Sequence, residues 1–311
     1  MSLSPAPLFT DVCPGPAKAA AVWLRQADGC RIRLAHWAPN TPRGTVLLLP
    51  GRTEYIEKYG LAAAALVARN LAVLSLDWRG QGLSDRLAPD ARLGHVGQFA
   101  DYQSDLDAML AAARQLALPE PYYLLAHSMG GCIGLRGLMR GLPVRAAVFT
   151  GPMWGIHIAP HMRPFAHLMG RVLPPVGLGL TLTPGTKIAP YVLSEPFEGN
   201  SLTNDRAMYQ MMRDQLTAHP DLALGGPSIA WLGAALRETA QLAQMDSPDL
   251  PCLTFLGSQE SIVETGRIHQ RMQRWPKGRL RMIAGGKHEV LMEDPAQTAQ
   301  IYDEITAFFA A

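Results

Sequence analysis

The sequence predicts an α/β fold with a mostly parallel central sheet that is flanked by helices. Continuous apolar runs, such as residues 44–49 and 71–77, are typical of strands that are buried on both faces. Segments with helical periodicity separate these runs, and this alternation favours parallel strands joined by helical crossovers. The alternation stops between residues 153 and 224, which indicates a helical insertion over the strand ends.

The elements can be predicted in chain order from apolar runs, periodicity and turn residues. Residues 1–16 are proline-rich and are expected to form an arm. The predicted strands are 20–26, 30–37, 44–49, 71–77, 122–127, 145–150, 251–257 and 279–283. The predicted helices are 56–69, 99–116, a helix directly after Ser128, 228–244, 267–275 and 296–309. This order divides the chain into a core of residues 1–152 and 225–311 and a helical cap of residues 153–224.

The stretch around Ser128 has the layout of a nucleophile elbow, a sharp strand-to-helix turn that exposes its central residue. An apolar run from Tyr122 leads into Ser128, and a helical pattern begins directly afterwards. The residues two before and two after the nucleophile must be small, because the two backbones almost touch there. Gly130 meets this requirement, and Ala126 is small enough to do so. A serine in a glycine-rich turn is often only a turn residue, so Ser128 needs partners elsewhere in the chain.

A serine nucleophile needs a base, and the base needs a carboxylate that orients it. Behind an elbow of this kind, the acid and then the histidine follow in loops after later strands. His288 lies in the loop after the last predicted strand, and Glu260 lies in the loop after the strand before it. We therefore predict that Ser128, Glu260 and His288 form a catalytic triad.

Other candidates for these roles occupy less suitable positions. Asp246 and Asp249 precede the penultimate strand, and Glu264 already enters a helix, where it would face the helix dipole. A surface or capping role is the alternative for any single histidine. The remaining histidines that we considered flank the nucleophile or lie in the insertion: His127, His157, His161, His167 and His219.

An oxyanion hole needs two backbone N–H groups close to the nucleophile. The first is expected from Met129, which begins the helix behind Ser128. The loop after strand 44–49 offers the second through the backbone of Arg52. Glu54 is placed to brace this loop, and the Arg52 side chain could bond neighbouring groups. The alternative is that this loop is only a glycine turn.

Composition narrows the class of protein and its setting. The 311 residues are 48% hydrophobic and 17% charged, and the net charge of +2 gives no broad attraction to nucleic acid. No window reaches the ~18 apolar residues of a membrane span, and the N-terminus does not resemble a signal peptide. The cysteines form no C-x-x-C pair, which favours a reduced, cytoplasmic setting and leaves a Cys13–Cys30 pairing open.

Together these motifs resemble the α/β hydrolase superfamily over nearly the whole chain. The chain is most similar to the group of monoacylglycerol lipases and bacterial lysophospholipases, which includes serine aminopeptidase-like sequences. It departs from the family pattern at Ala126, where glycine is usual, and at Glu260, where aspartate is usual. The motifs that carry the resemblance are residues 50–54 with Lys58 and Tyr59, the turn 77–84, the elbow 127–131 and the pair 288–289.

The resemblance implies an α/β-hydrolase fold and a serine carboxylic-ester hydrolase that acts through an acyl-enzyme. It also implies lysophospholipids or monoacylglycerols as substrates. Methionine and aromatic side chains in the insertion favour an apolar acyl pocket, although they could instead form the core of the insertion. A small-ester esterase is one alternative. An aminopeptidase or amidase is another, and it would need an acid for the substrate amine, for which the insertion offers Glu195, Glu198 and Asp205.

No metal or organic cofactor is needed for this chemistry, and no residue cluster has metal-ligand spacing. The expected partner is therefore a small acyl ester or lipid, without nucleic acid, and the oligomeric state is not predicted. Peripheral contact with an anionic membrane could come from a local basic run, for which a solvated face is the favoured alternative. This run consists of Arg267, Arg271, Arg274, Lys277, Arg279 and Arg281.

Overall fold

The computed structural model describes residues 2–311, and its strands form one sheet. The strands are β1 (Leu3–Ala6), β2 (Ala19–Arg25), β3 (Arg31–Trp37), β4 (Thr45–Leu49), β5 (Ala72–Asp77), β6 (Tyr122–His127), β7 (Ala147–Thr150), β8 (Cys252–Gly257) and β9 (Gly278–Ile283). Their order across the sheet is β1-β2-β3-β5-β4-β6-β7-β8-β9. Strands β4 to β9 pair in parallel, whereas β1, β2 and β3 pair antiparallel and join the others through β5. The predicted fold class is confirmed.

Helices cover both faces of the sheet, because the central strands are apolar on both sides. The helices are α1 (Gly60–Val67), α2 (Ala100–Gln115), α3 (Ser128–Met139), α4 (Arg163–Val172), α5 (Tyr191–Ser194), α6 (Arg206–Ala218), α7 (Ile229–Gln244), α8 (Thr265–Gln273) and α9 (Pro295–Ala310). Side chains of α2, α3, α7 and α8 share one apolar core with the sheet. Those of α1 and α9 share the core on the opposite face.

The segment 1–16, which is expected to form an arm, contributes a strand that the sequence did not predict at residues 3–6, and Met1 lies outside the described residues. Leu3–Ala6 pairs antiparallel with β2 as the edge strand β1. A proline is tolerated on an edge strand because its missing N–H removes no bond from the interior of the sheet. Pro5 occupies this edge, so the proline content of the segment does not exclude a strand.

Residues 153–224 contain α4, α5 and α6 with short 3-10 turns, and the sheet receives none of its strands from them. Part of this segment has an apolar cluster in which Tyr209, Met212 and Leu216 of α6 pack with Tyr55 and Met292 of the core. The division into a core and a cap at residues 153 and 224 stays a prediction. Within residues 2–311, no helix combines the length and the apolar character that crossing a bilayer requires.

The parallel strands bring distant parts of the chain to one edge of the sheet. The loops after β4, β5, β6, β8 and β9 all begin at the carboxyl ends of their strands. Ligands bind at this edge in open α/β sheets. The predicted site residues Arg52, Ser128, Glu260 and His288 lie in these loops or directly behind them.

Candidate active site

Ser128 sits at a sharp turn between β6 and α3, with a φ angle of 50°. Such a left-handed conformation is strained for a residue with a side chain and persists only where the surroundings enforce it. A Cβ atom at Gly130 would lie 2.5 Å from the carbonyl oxygen of Pro50 and closer still to that of Leu49. The position therefore requires glycine, whereas Ala126, paired with Leu49, accommodates its methyl group in the sheet.

His288 and Glu260 meet at the ends of β9 and β8. The Nδ1 atom of His288 lies 2.6 Å from Oε2 of Glu260. The other oxygen of Glu260 accepts hydrogen bonds from the backbone N–H groups of Ile262 and Val263, at 2.6 and 3.2 Å. Because an ionised carboxylate only accepts hydrogen bonds, Nδ1 of His288 carries the proton and donates it in a hydrogen bond to Glu260, which leaves Nε2 as the nitrogen that can act as a base.

Charge is retained on Glu260 despite its burial. Burial alone would raise the pKa of Glu260, but the hydrogen bond and charge of His288 hold the pKa below its ordinary value. Gly151 makes room for this pair, since a Cβ atom there would lie 3.1 Å from both Glu260 Oε2 and His288 Nδ1. Sequence reasoning missed Gly151, which follows β7 at a φ angle of 47°.

The structure places the other sequence candidates in different surroundings. Asp249 pairs with Lys277 at 2.9 Å, and Glu264 pairs with Arg163 at 3.0 Å. His219 lies 2.8 Å from Asp11, outside the cavity at Ser128. His161 and His167 are exposed, while His157 lines the cavity.

The loop after β4, which carries Arg52, is held by the turn 77–84. The indole of Trp78 donates a 2.9 Å hydrogen bond to the carbonyl oxygen of Pro50. The side-chain amide of Gln81 donates to the carbonyl oxygen of Gly51 at 3.0 Å and accepts from the N–H of Thr53 at 3.2 Å. Glu54 accepts a hydrogen bond from the N–H of Gly51, as the predicted bracing role requires. These bonds fix the backbone near Arg52, while Met129 is fully buried at the start of α3.

A buried ion cluster lies behind the two loops. The ammonium group of Lys58 bonds the carboxylates of both Glu54 and Glu289, the latter at 2.6 Å. The hydroxyl group of Tyr59 donates a hydrogen bond to the carboxylate of Glu54. The Nε2 atom of His127 faces the same carboxylates, at 3.6 Å from Glu54 and 3.5 Å from Glu289. The cluster thus joins the loop of Arg52 to the loop of His288.

The opposite charges in this cluster shift one another's pKa values toward the charged forms. Burial alone would raise the pKa of Glu289, but Lys58 and His127 hold it well below its ordinary value. Burial alone would lower the pKa of His127, but Glu289 and Glu54 raise it. His127 Nδ1 lies 3.0 Å from the carbonyl oxygen of Thr150, which can only accept a proton. The Nδ1 atom of His127 therefore carries a proton. When the imidazole becomes charged, the second proton binds Nε2, which faces Glu54 and Glu289.

Sequence spacing did not reveal this cluster. Atoms of Glu54, His127 and Glu289 that could each ligate a metal lie within 4.8 Å of one another. The ammonium group of Lys58 supplies a positive charge between the two carboxylates. The available signal was that the predicted helix 56–69 has two adjacent charged residues, Glu57 and Lys58, in its first turn, followed by an uncharged stretch up to residue 68.

A cavity of about 670 Å³ opens at Ser128 and His288. Most of its wall is apolar, and methionine and aromatic side chains contribute from both the segment 153–224 and the core. These side chains are Tyr55, Met153, Met162, Phe165, Met169, Tyr191, Met212 and Trp231. Such side chains adapt to flexible apolar chains.

The acids considered for an amine site are engaged elsewhere. Glu195 pairs with Lys187 at 2.6 Å, Glu198 pairs with Arg206, and Asp205 caps the N-terminus of α6. None of the three lines the cavity within the described chain.

The basic run 267–281 does not form a continuous cationic face. Arg271 is buried and donates to the carbonyl oxygens of Leu242 and Met245. Lys277 and Arg281 pair with Asp249 and Glu304. These pairs argue against the run as the membrane contact.

Comparisons with known proteins identify the family. The model of the family described as serine aminopeptidase, S33, matches residues 40–295. The chain belongs to this family. It is 31% identical over 300 residues to lysophospholipase L2 of Escherichia coli, covering 91% of this chain and 85% of the relative. It is 28% identical over 253 residues to the probable lysophospholipase L2 of Haemophilus influenzae, covering 81% of this chain and 79% of the relative.

Solved structures support the fold. A soluble variant of monoglyceride lipase from Saccharomyces cerevisiae aligns with a TM-score of 0.71 at 18% identity, covering 92% of this chain and 93% of that chain. A carboxyl esterase from Bacillus coagulans aligns with a TM-score of 0.72 at 15% identity, covering 95% and 99%. The predicted membership in the α/β hydrolase superfamily and its lysophospholipase and monoacylglycerol lipase group is confirmed, and the protein is a hydrolase.

Proposed function

We propose that this protein hydrolyses carboxylic esters of acyl lipids through a triad of Ser128, His288 and Glu260. The observation that carries the proposal is the 2.6 Å contact between His288 Nδ1 and Glu260 Oε2, beside a serine that is strained at the wall of the same large cavity. A strained serine at a cavity wall and an oriented imidazole are the parts that nucleophilic acyl transfer requires.

The mechanism follows from the direction of these contacts. His288 Nε2 takes the proton of Ser128, whose oxygen attacks the ester carbonyl carbon. Glu260 holds the imidazole in the required tautomer and stabilises the imidazolium that forms. The backbone N–H groups of Met129 and Arg52 stabilise the oxyanion, and the imidazolium protonates the leaving alcohol. Water then attacks the acyl-enzyme with His288 as base, which releases the acid and restores Ser128.

Lysophospholipids and monoacylglycerols are the proposed substrates. The relatives named lysophospholipase L2 support this class, and the apolar cavity wall offers space for an acyl chain. A small-ester esterase would need much less of this cavity. An aminopeptidase would need a free carboxylate at the cavity, whereas the two carboxylates that line it, Glu54 and Glu289, are bound by Lys58.

The test compares p-nitrophenyl esters of increasing chain length, from acetyl to palmitoyl, with lysophosphatidylcholine, monoacylglycerol and an aminoacyl anilide. We expect rates that rise with chain length and fall by a factor on the order of 10³ or more in Ser128→Ala. The matched control is Ser201→Ala, because Ser201 lines the same cavity outside the proposed triad. Activity confined to acetyl and butyryl esters would contradict the lipid assignment, and anilide hydrolysis alone would favour the aminopeptidase.

We further propose that segment 151–194 makes peripheral contact with a lipid surface. It carries no Asp or Glu, its Arg171 is exposed, and so are Phe165, Leu168 and several neighbours. Its other two cations, Arg163 and Lys187, pair with Glu264 and Glu195. An apolar face with basic charge is suited to anionic bilayers. Sedimentation with vesicles of phosphatidylglycerol should decrease when Phe165 and Leu168 are both replaced by serine, and unchanged sedimentation would contradict the proposal.

We also propose a cytoplasmic location and the division into a core, 1–152 and 225–311, and a cap, 153–224. All four cysteines are free thiols, which supports a reducing compartment. The pairing of Cys13 with Cys30, left open by the sequence, is not formed.

A further inference from the structure

Arg52 combines two features that the proposed mechanism does not use. Its side chain lines the catalytic cavity, and it lacks an acidic partner: no carboxylate of residues 2–311 lies within the 4.0 Å of a salt bridge. The other strong cation of the cavity wall, Lys58, is neutralised by Glu54 and Glu289. Arg52 is therefore the cation that remains available to an anionic ligand.

The contacts of the guanidinium leave most of its donors unused. Within the described chain it donates one hydrogen bond, from Nη2 to the carbonyl oxygen of Gly225. It also lies 5.2 Å from the ring centroid of Trp231. Its Nε atom is buried without an acceptor, although a guanidinium has five N–H donors. Burial lowers the pKa of Arg52 to about 10, which still leaves it charged at neutral pH.

A buried charge without a partner is costly, so such a residue is a candidate for ligand binding. A guanidinium matches phosphate oxygens with two parallel hydrogen bonds and binds them more specifically than an ammonium group does. An acyl-lipid substrate with a phosphodiester headgroup would supply this anion, whereas a monoacylglycerol would not.

The covalent distances are compatible. In a 1-acyl lysophospholipid, about six bonds separate the ester carbonyl carbon from the phosphorus atom, and about six bonds separate the backbone nitrogen of an arginine from its Cζ atom. If the Arg52 N–H contacts the oxyanion, its own side chain has the reach to meet the phosphate. This step rests on the proposed ester hydrolase function.

We propose that the guanidinium of Arg52 binds the headgroup phosphodiester and makes the enzyme selective for lysophospholipids over monoacylglycerols. The backbone and the side chain of one residue then act on the two ends of the glycerol unit. Arg52 is thereby a specificity-determining residue as well as an oxyanion donor.

The test measures the ratio of kcat/KM for lauroyl lysophosphatidylethanolamine to that for lauroylglycerol. Any general disturbance of the loop affects both substrates and cancels in this ratio. Arg52→Met should lower the ratio roughly 10- to 100-fold through a higher KM for the phospholipid, the effect of one charge-assisted contact. Arg52→Lys, which keeps the charge, should recover part of it.

Arg271→Met is the matched control. Arg271 is also buried, bonds backbone carbonyl oxygens, and has its pKa lowered to about 10 by burial, but it does not line the cavity. Its substitution should lower stability while the ratio of kcat/KM stays unchanged.

Three results separate the inference from the proposed function. An unchanged ratio in Arg52→Met would overturn the inference, because the side chain would then only support the contact with Gly225, while the ester hydrolase function would stand. A wild-type enzyme that hydrolyses neither lipid would refute the proposed function itself. Inhibition by inorganic phosphate without discrimination between the two lipids would indicate a free-anion site and would also overturn the inference.

Discussion

Lys58 is the residue on which the buried ion cluster depends, and Lys58→Met is the perturbation that tests it. The ammonium group contacts one oxygen of Glu54 and one of Glu289, and the three side chains are 4–6% exposed. Methionine keeps an apolar stem of similar length, so the substitution removes the charge with little change in volume. Two buried carboxylates would then face each other with only His127 to balance them.

The expected cost follows from this geometry. Removing one partner of a buried ion pair lowers the free energy of unfolding by about 3–5 kcal/mol, because the other charge stays buried. For a chain of this size the melting temperature should fall by roughly 6–10 °C. Replacing Glu289 by glutamine in the same variant should restore more than half of the loss, because one negative charge then remains beside His127.

The pH dependence gives the sign of the effect. The pKa of Glu289 is depressed in the folded protein, so its stabilisation is present above its unfolded pKa of about 4.3 and is lost as the pH falls through the folded value. Lys58 is one of the charges that depress this pKa, so the Lys58→Met variant has less of the stabilisation from Glu289. The difference between wild type and Lys58→Met should therefore be fully present at neutral pH and should shrink only as the pH falls below about 4.3, toward the depressed folded pKa of Glu289.

The assay is urea unfolding followed by tryptophan fluorescence at several pH values, with Lys187→Met as the control. Lys187 pairs with Glu195 at the surface, where its side chain is 65% exposed. A surface pair contributes at most about 1 kcal/mol. A loss below ~1 kcal/mol for Lys58→Met, independent of pH, would refute the reasoning that the cluster is a buried electrostatic unit.

Three further predictions concern the site. Glu260→Gln should lower kcat by a factor on the order of 10⁴ in steady-state assays, because an amide cannot stabilise the imidazolium, whereas Glu264→Gln should change kcat little. Gly130→Ala should lose fluorophosphonate labelling and melt at a lower temperature, because its Cβ atom would overlap backbone oxygens. In the control Gly266→Ala, the added Cβ atom meets nothing within 4 Å, and the free energy of unfolding should rise by up to about 1 kcal/mol. The raised pKa of His127 predicts that wild-type stability declines as the pH rises above about 6.5, and His127→Asn should lack this slope in the same unfolding series.

The sequence predicted those features that depend on local pattern and strand order. Buried strands reveal themselves as apolar runs, and parallel pairing places the loops after them at one edge, which is why Ser128, Glu260 and His288 could be named together. Glu260 occupies a position where aspartate is usual, and its longer side chain still reaches His288. Sequence alone could not supply that distance.

Features that depend on contacts between distant residues were not predicted. Lys58 and Glu289 are 231 residues apart, and nothing local marks them as partners. The basic run 267–281 is the opposite case, because its residues are close in sequence but do not share one surface. The Arg271 side chain instead points its donors at carbonyl oxygens near the end of α7.

Arg52 shows why backbone and side chain must be considered separately in such a loop. Loop position alone predicts its N–H as an oxyanion donor, since any residue at that place would offer one. The presence of arginine at this position needs a different explanation. Its buried guanidinium bonds one carbonyl oxygen, that of Gly225, 173 residues away. One such bond does not offset the free-energy cost of removing a charge from water. An anionic substrate would complete its contacts at the moment of binding. The same cation would then contribute to selectivity only for lipids that carry a phosphate, which is the difference that the two lauroyl substrates measure.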